Sequence, residues 1–364
     1  MNIAFYGSSL LSSYWNGAAT YYRGMLSALH MLGHEITFYE PDAFDRQSHR
    51  DIDVPDWAAV HVYAATPAGL AGALEGARKA DAVVKASGVG VYDTELLAGI
   101  LARARPDALR LFWDVDAPAT LAEIDADPSH PLRVALPGLD VVLTYGGGPA
   151  VVRRYLAHGA MSCVPVYNAL DPATHFPVPS EPAFAAALSF LANRLPDREA
   201  RVETFFLSAA AALPGHRFLL GGSGWAGKPM PANVREIGHV PTAAHNAFNT
   251  SSRAVLNVAR DSMAAVGYSP ATRVFEAAGA GACLITDAWE GIEMFLAPGL
   301  EVLVARDGQD VAEHVRALTR EAAHAIGARA RGRILADHTY AKRAVLVDKL
   351  LRMAVIGKAA SRAA

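Results

Sequence analysis

Arg273 and Glu276 stand three positions apart in a segment, residues 269–287, that is otherwise mostly small and apolar. If the first half of this segment is helical, the spacing puts both side chains on one helix face. A helix N-terminus beside an arginine suits a phosphate, and a carboxylate one turn further on can accept hydrogen bonds from two ribose hydroxyls. The segment, with Ser269 at its start, therefore predicts a site for a nucleotide sugar. The alternative is an intrahelical ion pair on a solvated face.

Two other loops of the second half of the chain have residues suited to the same ligand. Where a helix is predicted to follow the strand near residues 187–192, the chain places Arg194, Arg198 and Arg201. Positive charge at a helix start opposes the helix dipole, so we expect an anion nearby, with a solvated surface as the alternative. A loop that can border a base ring through its backbone groups consists of Gly238, His239 and Val240.

Two carboxylates, Asp114 and Asp116, lie at the end of an apolar strand of the first half. Charges in that position are costly unless they are paired or used. We predict that one of them acts as a general base on an acceptor hydroxyl. Asp-x-Asp is also a metal-binding pattern, and Asp116, which precedes Pro118, can instead cap a helix. His61 is the other candidate base, and a buried core histidine is the alternative reading of it.

Glycine-rich loops follow the first and the sixth predicted strands. They permit a close approach of backbone to an acceptor, and ordinary turns are the alternative. No G-x-G-x-x-G motif is present, so a dinucleotide fingerprint is absent. The candidate acceptor residues in these loops are Gly7, Ser8, Asn16, Gly17, Tyr145, Gly146 and Gly147.

Composition narrows the class of protein. A length of 364 residues favours two domains, and 52% hydrophobic residues can form large cores. The net charge of -3 gives no basic surface for nucleic acid. Cys163 and Cys283 are far apart in apolar runs and have no zinc spacing, so we expect buried thiols and no metal. No signal peptide precedes the first strand and no run is long enough to span a membrane, which predicts a cytoplasmic enzyme without an integral membrane segment.

Short apolar strands alternate with helical segments along the chain, which predicts parallel α/β sheets. The predicted strands are 2–7, 35–40, 58–63, 82–86, 109–114, 140–144, 187–192, 216–221, 234–238, 253–258, 282–286 and 301–304. The predicted helices are 17–32, 67–80, 93–105, 148–158, 198–212, 241–249, 270–280, 309–325 and 339–356. A proline-rich stretch, 168–182, divides the two series. We therefore predict two doubly wound, Rossmann-like domains facing a central cleft, 1–170 and 171–338. In the last segment, 339–364, we expect an amphipathic helix over 339–356 that packs on the first domain, with an anionic membrane surface as the alternative. The apolar residues expected on this helix are Tyr340, Leu346, Val347, Leu350, Leu351, Met353 and Ile356.

Several motifs resemble a known family. They are Leu256–Arg260, Gly267–Pro270, Arg273–Ala277, Gly281–Ala282, Pro298–Val302 and the interdomain Asn168–Asp171. In these residues the chain resembles GT-B glycosyltransferases, and within them the branch of the spore maturation protein CgeB. The resemblance covers residues 140–340 well. One departure is Tyr268, which stands where many retaining relatives carry the first glutamate of an E-x7-E pair.

The resemblance implies a transferase of the hexosyltransferase class whose second domain binds a nucleotide diphosphate sugar, with UDP as the expected nucleotide. It implies that Glu276 holds the ribose, that Arg194 with Arg198 or Arg201 neutralises the diphosphate, and that Gly238–Val240 border the base. It also implies that the last helix crosses back to the first domain.

The donor sugar would thus serve as a co-substrate rather than a cofactor, and the acceptor is a saccharide, a protein or a small molecule. Two other classes remain open from the residues alone. An epimerase or a phosphorylase can use the same two-domain frame, and so can a non-catalytic protein that binds nucleotide sugars.

Overall fold

The structure is a computed structural model that describes residues 1–363, with side chains up to residue 360. The chain divides into two compact units. The first consists of Met1–Tyr167 together with the C-terminal helix from Tyr340, and the second is Asn168–Thr339.

The first unit is built on a parallel sheet. Its strands are Asn2–Tyr6 (β1), Glu35–Asp42 (β2), Ala58–Ala64 (β3), Ala82–Ala86 (β4), Leu109–Asp114 (β5), Val141–Thr144 (β6) and Cys163–Pro165 (β7). They lie side by side in the order β3-β2-β1-β4-β5-β6-β7, and every pairing is parallel. The helices between the strands are Ala19–Met31 (α1), Pro67–Ala73 (α2), Asp93–Arg103 (α3), Ala117–Ala126 (α4), Pro131–Ala135 (α5) and Pro149–Ala157 (α6).

Both faces of this sheet are covered, because successive side chains of a strand point to opposite faces and both sets are buried. In β1, Ala4 and Tyr6 belong to one hydrophobic cluster, which includes Leu96 of α3. Ile3 and Phe5 point the other way and are equally buried. The continuous apolar strands that predicted a parallel sheet are explained by this double cover.

The second unit has a six-stranded parallel sheet. Its strands are Leu188–Leu191 (β8), Phe218–Gly221 (β9), Val234–Glu236 (β10), Ala254–Asn257 (β11), Leu284–Asp287 (β12) and Leu303–Ala305 (β13), in the order β10-β9-β8-β11-β12-β13. Its helices are Pro196–Val202 (α7), Ser208–Ala212 (α8), His245–Ser251 (α9), Asp261–Val266 (α10), Thr272–Gly279 (α11), Gly308–Ala317 (α12) and Arg320–Asp337 (α13). A π-helical turn, Glu203–Leu207, joins α7 to α8. The prediction of two doubly wound parallel sheets is confirmed.

Some predicted elements were wrong or missing. The segment 309–325 was predicted as one helix, but α12 ends at Ala317 and α13 begins at Arg320. Thr319 leaves the helical backbone and its side chain caps α13 by accepting a hydrogen bond from the Ala322 N–H at 3.1 Å. Strand β7 and helices α4, α5 and α10 were not predicted, and all but α4 are at most six residues long.

The final helix, Tyr340–Ala363 (α14), belongs to the first unit. The predicted apolar stripe was only partly correct, since Leu346, Met353 and Ile356 are 38%, 59% and 70% exposed. The buried line contains three residues that were predicted, Tyr340, Val347 and Leu351, together with Ala344. Two apolar stripes fit the helical period of this segment, and only the neighbouring elements decide which of them packs.

Contacts with α1 and the first sheet hold α14 in place. The ring of Tyr340 lies so close to α1 that a Cβ on Gly24 would stand 2.2 Å from it. Lys358 donates a hydrogen bond to the Asp140 carboxylate at 2.7 Å. No helix among the described residues is long and apolar enough to cross a membrane.

Candidate functional site

The loop after β1 is tightly organised by its own polar groups. Ser8 donates to Oδ1 of Asn16 at 2.9 Å, and Nδ2 of Asn16 donates to the carbonyls of Ser9 and Ser12. Asn16 is buried, so its polar atoms serve the loop itself. Gly7 is required by close packing, because a Cβ there would stand 2.5 Å from the Phe38 ring. Of the predicted acceptor residues here, Gly17 is exposed with open space around it.

The buried carboxylate of Glu40, near the end of β2, also holds the loop after β1 in place. It accepts hydrogen bonds from the Ser9 hydroxyl at 3.0 Å and from the Leu10 N–H at 2.5 Å. Gln47 adds a third at 2.7 Å. A fully buried carboxylate is tolerated because these donors replace its lost hydration.

Asp114 and Asp116 have different surroundings. Asp114 is fully buried, and its oxygens accept hydrogen bonds from the Asp116 N–H at 3.0 Å, the Thr120 hydroxyl at 2.9 Å and the Tyr155 hydroxyl at 2.5 Å. Burial raises the pKa of Asp114, and the hydrogen bond from Tyr155 opposes that rise. Asp114 therefore ties the end of β5 to α4 and α6 and holds the backbone of Asp116.

Asp116 is partly exposed and lines a cavity of about 510 Å³. It occupies the N-cap position of α4, but its side chain makes no capping hydrogen bond. Helix capping, the alternative role of Asp116, therefore does not explain the position of its carboxylate. His61, the other candidate base, was predicted as a possible core residue, but it is exposed and its ring stacks on Tyr39 at 5.2 Å.

The triple-glycine loop after β6 is held close to the sheet. Tyr145 donates its N–H to the Asp114 carbonyl at 2.8 Å. Gly146 is buried. Gly147 has φ +85°, and a Cβ there would stand 2.3 Å from Val151, so both its backbone conformation and its packing require glycine. This loop lies beside Asp114 at the carboxyl edge of the sheet.

In the second unit, two of the four candidate arginines are neutralised by carboxylates. Arg194 makes a two-pronged hydrogen bond of 2.7 Å to each oxygen of Glu199. Arg201 donates to Asp287 at 2.6 Å, and that carboxylate is fully buried at the end of β12. Because an unpaired buried carboxylate is very costly, Arg201 has a structural task that sequence reasoning missed.

Arg198 and Arg273 are the other two, and they lie close enough to repel each other. Burial, followed by the positive charge of Arg273, lowers the pKa of Arg198 to about 10, and the carboxylate of Asp197 opposes that shift. Arg198 donates to the Asn193 carbonyl at 2.9 Å, but its Nε is buried without a partner. Arg273 makes no hydrogen bond or ion pair with any residue the structure describes, and burial lowers its pKa. Asp197 and Glu276 act on these arginines electrostatically, but neither carboxylate forms an ion pair with Arg198 or Arg273.

Glu276 lies one turn beyond Arg273 on α11, as the sequence predicted. Its side chain is 16% exposed and accepts no hydrogen bond from the described residues. His175 stands at 4.0 Å, measured from its Nε2 to Oε1 of Glu276. The oxygens of Glu276 therefore remain available to accept hydrogen bonds from a ligand.

The connector between the units packs on α11 and explains the small residues of that helix. A Cβ on Gly279 would stand 2.4 Å from Leu170. Asn168 is fully buried and donates to the Pro270 carbonyl at 3.1 Å. Because the connector packs on α11, His175, which lies further along it, also comes close to Glu276. The alternative of a solvated helix face does not fit α11.

His245 links the loop of Gly238, His239 and Val240 to the same place. Its Nε2 donates to the Val240 carbonyl at 3.2 Å, and its ring lies 6.5 Å from that of His175. Burial lowers the pKa of His245, and the charge of Glu276 opposes this. Val240 is buried, His239 is exposed, and Gly238 has φ +67°. The predicted base loop and the predicted ribose carboxylate are therefore neighbours.

The turn before α11 is strained. Tyr268 has φ +46°, which is unusual for a residue with a Cβ, and its N–H donates to the Glu290 carbonyl at 2.6 Å. A Cβ on Gly291 would stand 2.3 Å from the Tyr268 ring, which shows how closely that ring packs. Ser269 is buried and donates to the Gly267 carbonyl at 2.9 Å. The side chains of both residues thus shape the turn that leads into Arg273.

Sequence reasoning missed three side chains of this cluster, His175, His245 and Arg260. Arg260 ends the motif Leu256–Arg260 and pairs with Asp197. The histidines carry no spacing signal, because one lies in the connector and the other on α9. No group of three histidine, cysteine, aspartate or glutamate side chains that could hold a metal occurs among the described residues.

The fold is that of GT-B glycosyltransferases. Sucrose-phosphate synthase from Thermosynechococcus elongatus superposes with a TM-score of 0.68 at 14% identity, over 97% of this chain and 98% of that one. Anabaena HepE in complex with UDP-glucose gives 0.66 at 13% identity, over 97% and 100%. AviGT4, a glycosyltransferase involved in avilamycin A biosynthesis, gives 0.60 at 17%, over 98% of each chain.

Residues 198–349 match the family described as glycosyl transferase-like. The prediction of a glycosyltransferase is confirmed by this match together with the fold. No curated protein matches the chain in sequence.

Proposed function

We propose that this glycosyltransferase takes a sugar from a nucleotide diphosphate sugar held by the second unit and transfers it to an acceptor hydroxyl. The observation that carries the proposal is the pair Arg198 and Arg273, which lie close together and form no ion pair or hydrogen bond with a carboxylate among the described residues. A diphosphate would supply the missing negative charge and accept charge-assisted hydrogen bonds from both side chains.

Glu276 is proposed to bind the ribose. Its carboxylate is partly buried, accepts no hydrogen bond from the described residues and lies on the same helix as Arg273. Val240, whose carbonyl is held by His245, is proposed to border the base with Gly238 and His239. Phosphate, ribose and base positions then follow one another along the carboxyl edge of the second sheet, as expected for a parallel α/β sheet.

UDP is the nucleotide we propose. The Anabaena HepE structures contain UDP-glucose, UDP with glucose, or UDP, and a phage β-glucosyltransferase was also solved with UDP-glucose. These proteins share the fold with this chain at 9–13% identity, so they support the choice of nucleotide only through the common frame.

We propose that arginine side chains, rather than a bound metal, stabilise the diphosphate as it leaves. Preorganised positive charge in a partly buried site is most effective where negative charge develops. Asp116 is proposed as the base that accepts the proton of the acceptor hydroxyl, since it lines a cavity of the first unit, whereas Asp114 is fully buried. The assignment to the CgeB-like branch and a cytoplasmic location belong to this proposal, and the free buried thiols of Cys163 and Cys283 support the latter.

Incubation of the full-length protein with UDP-sugars, with and without a set of acceptors, tests the proposal by the release of UDP. We expect release that depends on an acceptor and persists in EDTA. Loss of activity in EDTA that a divalent metal restores would contradict the arginine mechanism and favour Asp114 and Asp116 as a metal site. Inversion of the configuration of the donor sugar without its transfer would indicate an epimerase. Binding of the UDP-sugar without turnover would indicate a non-catalytic binding protein, and either result would contradict the proposed transfer.

Replacement of Glu276 by alanine is expected to weaken UDP binding by about 1–3 kcal/mol, because hydrogen bonds between the ribose hydroxyls and a charged group are lost. Calorimetry with UDP measures the change, and Glu313→Ala, on the exposed face of α12, is the matched control. A uridine diphosphate without the ribose hydroxyls should bind the native protein and the Glu276 variant alike. A ribose role is ruled out if the folded Glu276→Ala protein retains native UDP affinity.

A further inference from the structure

The cavity beside Asp116 has features that select an acceptor. It has a volume of about 510 Å³ and opens at the carboxyl ends of β4 and β5, with α3, α4 and the start of α5 around it. Pockets of about 300–1,000 Å³ are the usual size for small-molecule ligands. Its charged and titratable lining residues are Lys85, Asp93, Asp116, Glu123 and His130.

Lys85 is a buried ammonium whose hydrogen-bonding capacity is only partly used. Its side chain is 5% exposed, and it bonds to Asp93 and lies over the Phe112 ring, 5.6 Å from the centroid. An ammonium has three donors, and no other acceptor for it occurs among the described residues. Unused donors on a buried charge are costly, so a ligand with acceptor oxygens would be favoured in this cavity.

The carboxylates of the lining, in contrast, favour ligands that donate hydrogen bonds and disfavour anions. Asp93, Asp116 and Glu123 outnumber the single ammonium, which makes the lining negative overall. His130 Nε2 lies 3.7 Å from Glu123, so the histidine compensates that carboxylate only when it is protonated. The negative charge of the lining repels phosphorylated or carboxylated ligands. Hydroxyl groups, in contrast, can donate hydrogen bonds to the carboxylates and accept them from Lys85.

Apolar surface completes the lining. Phe112, Leu97 and Leu132 contribute rings and methyl groups to the same cavity, next to the polar groups of Ser87 and Thr94. A surface with both characters matches a sugar ring, which has hydroxyls at its edge and C–H groups on its faces.

The geometry points to a neutral saccharide, about one or two rings in size, as the acceptor group that enters this cavity. The inference rests on the proposed transfer reaction, because Asp116 would face a hydroxyl of that saccharide. The saccharide is either free or the terminal part of a glycan on a larger carrier, and both present the same chemistry to the lining.

Binding to the full-length protein without a donor tests the inference independently of catalysis. Saturation-transfer NMR compares glucose and maltose with glucose 6-phosphate and glucuronic acid. We expect the neutral sugars to bind and the charged ones to bind about tenfold more weakly, since each adds a negative charge beside carboxylates. Equal or tighter binding of the charged sugars, or no binding by any of the four, would overturn the inference.

A charge reversal at the rim identifies the cavity as the site. Glu123 is 68% exposed, so Glu123→Lys should fold, and it is expected to remove the discrimination against glucose 6-phosphate. Glu95→Lys, exposed on α3 but outside the lining, is the matched control and should keep it. Native discrimination in Glu123→Lys would contradict the inference.

Two further measurements separate the sources of failure. UDP affinity, measured on the same samples, reports on the second unit, so its absence would contradict the proposed function, whereas its presence without saccharide binding contradicts only this inference. Transfer to maltose compared with transfer to maltose linked to a peptide distinguishes a free acceptor from a carrier-bound one. The same peptide without maltose is the third sample. Transfer to maltose in either form supports the inference, and transfer to the sugar-free peptide alone overturns it.

Discussion

A double replacement, Arg198→Ala with Arg273→Ala, is expected to abolish measurable UDP binding. Each side chain is proposed to make hydrogen bonds to the diphosphate, and a hydrogen bond to a charged group contributes about 1.5–3 kcal/mol, so the pair should account for about 3–6 kcal/mol. Isothermal calorimetry with UDP on the full-length protein measures the loss. Each single replacement should give a smaller loss, and the two need not be additive because the guanidinium groups interact.

The matched control is Arg217→Ala, which removes an exposed arginine near the amino end of β9 in the same unit. It should keep native UDP affinity. Removing mutual repulsion can make the double variant as stable as the native protein or more so, which thermal unfolding would detect. Native affinity for UDP in a folded double variant would refute the assignment of the diphosphate to these arginines.

Replacement of Asp116 by asparagine is expected to lower kcat about 10²–10⁴-fold, the usual contribution of a general base. UDP affinity should not change, because the donor is proposed to bind the second unit. The experiment measures kcat and KM for sugar transfer and, on the same preparations, the UDP dissociation constant. A fall in kcat without a change in donor affinity is what an acceptor-side base predicts.

Asp107→Asn is the control for this prediction, since Asp107 is an exposed carboxylate near the amino end of the same strand, β5. It should transfer sugar at the native rate. Asp114→Asn is a separate case, because it removes an acceptor for the backbone of Asp116 and the hydroxyl of Thr120 and should also lower stability. Native turnover by Asp116→Asn would mean that another group, or the substrate itself, accepts the proton.

Much of the fold could be predicted from local patterns. Short apolar strands that alternate with helices specify a parallel sheet covered on both faces, and both sheets have this form. Predicted helix boundaries were wrong where a single residue determines the end of a helix, as Thr319 does between α12 and α13. The fold-level predictions are confirmed, whereas the roles of the site residues stay predictions.

The sequence by itself determined which residue types stand at the carboxyl ends of the strands. Asp116 was predicted in this way, because a parallel strand followed by a loop places its last residues at one known edge of the sheet, whereas Arg198 was predicted from positive charge at a helix start. Local spacing was sufficient to put Arg273 and Glu276 one turn apart on α11, since the helical period is a property of the backbone.

Only the tertiary structure decided which of these groups have a partner. Arg201 pairs with Asp287, 86 positions away, and Asp114 accepts a hydrogen bond from Tyr155, 41 positions away. His175 likewise reaches Glu276 only because the connector packs on α11. The physical reason is that periodicity and capping act over a few residues, whereas neutralisation of a buried charge depends on packing between elements far apart in the chain.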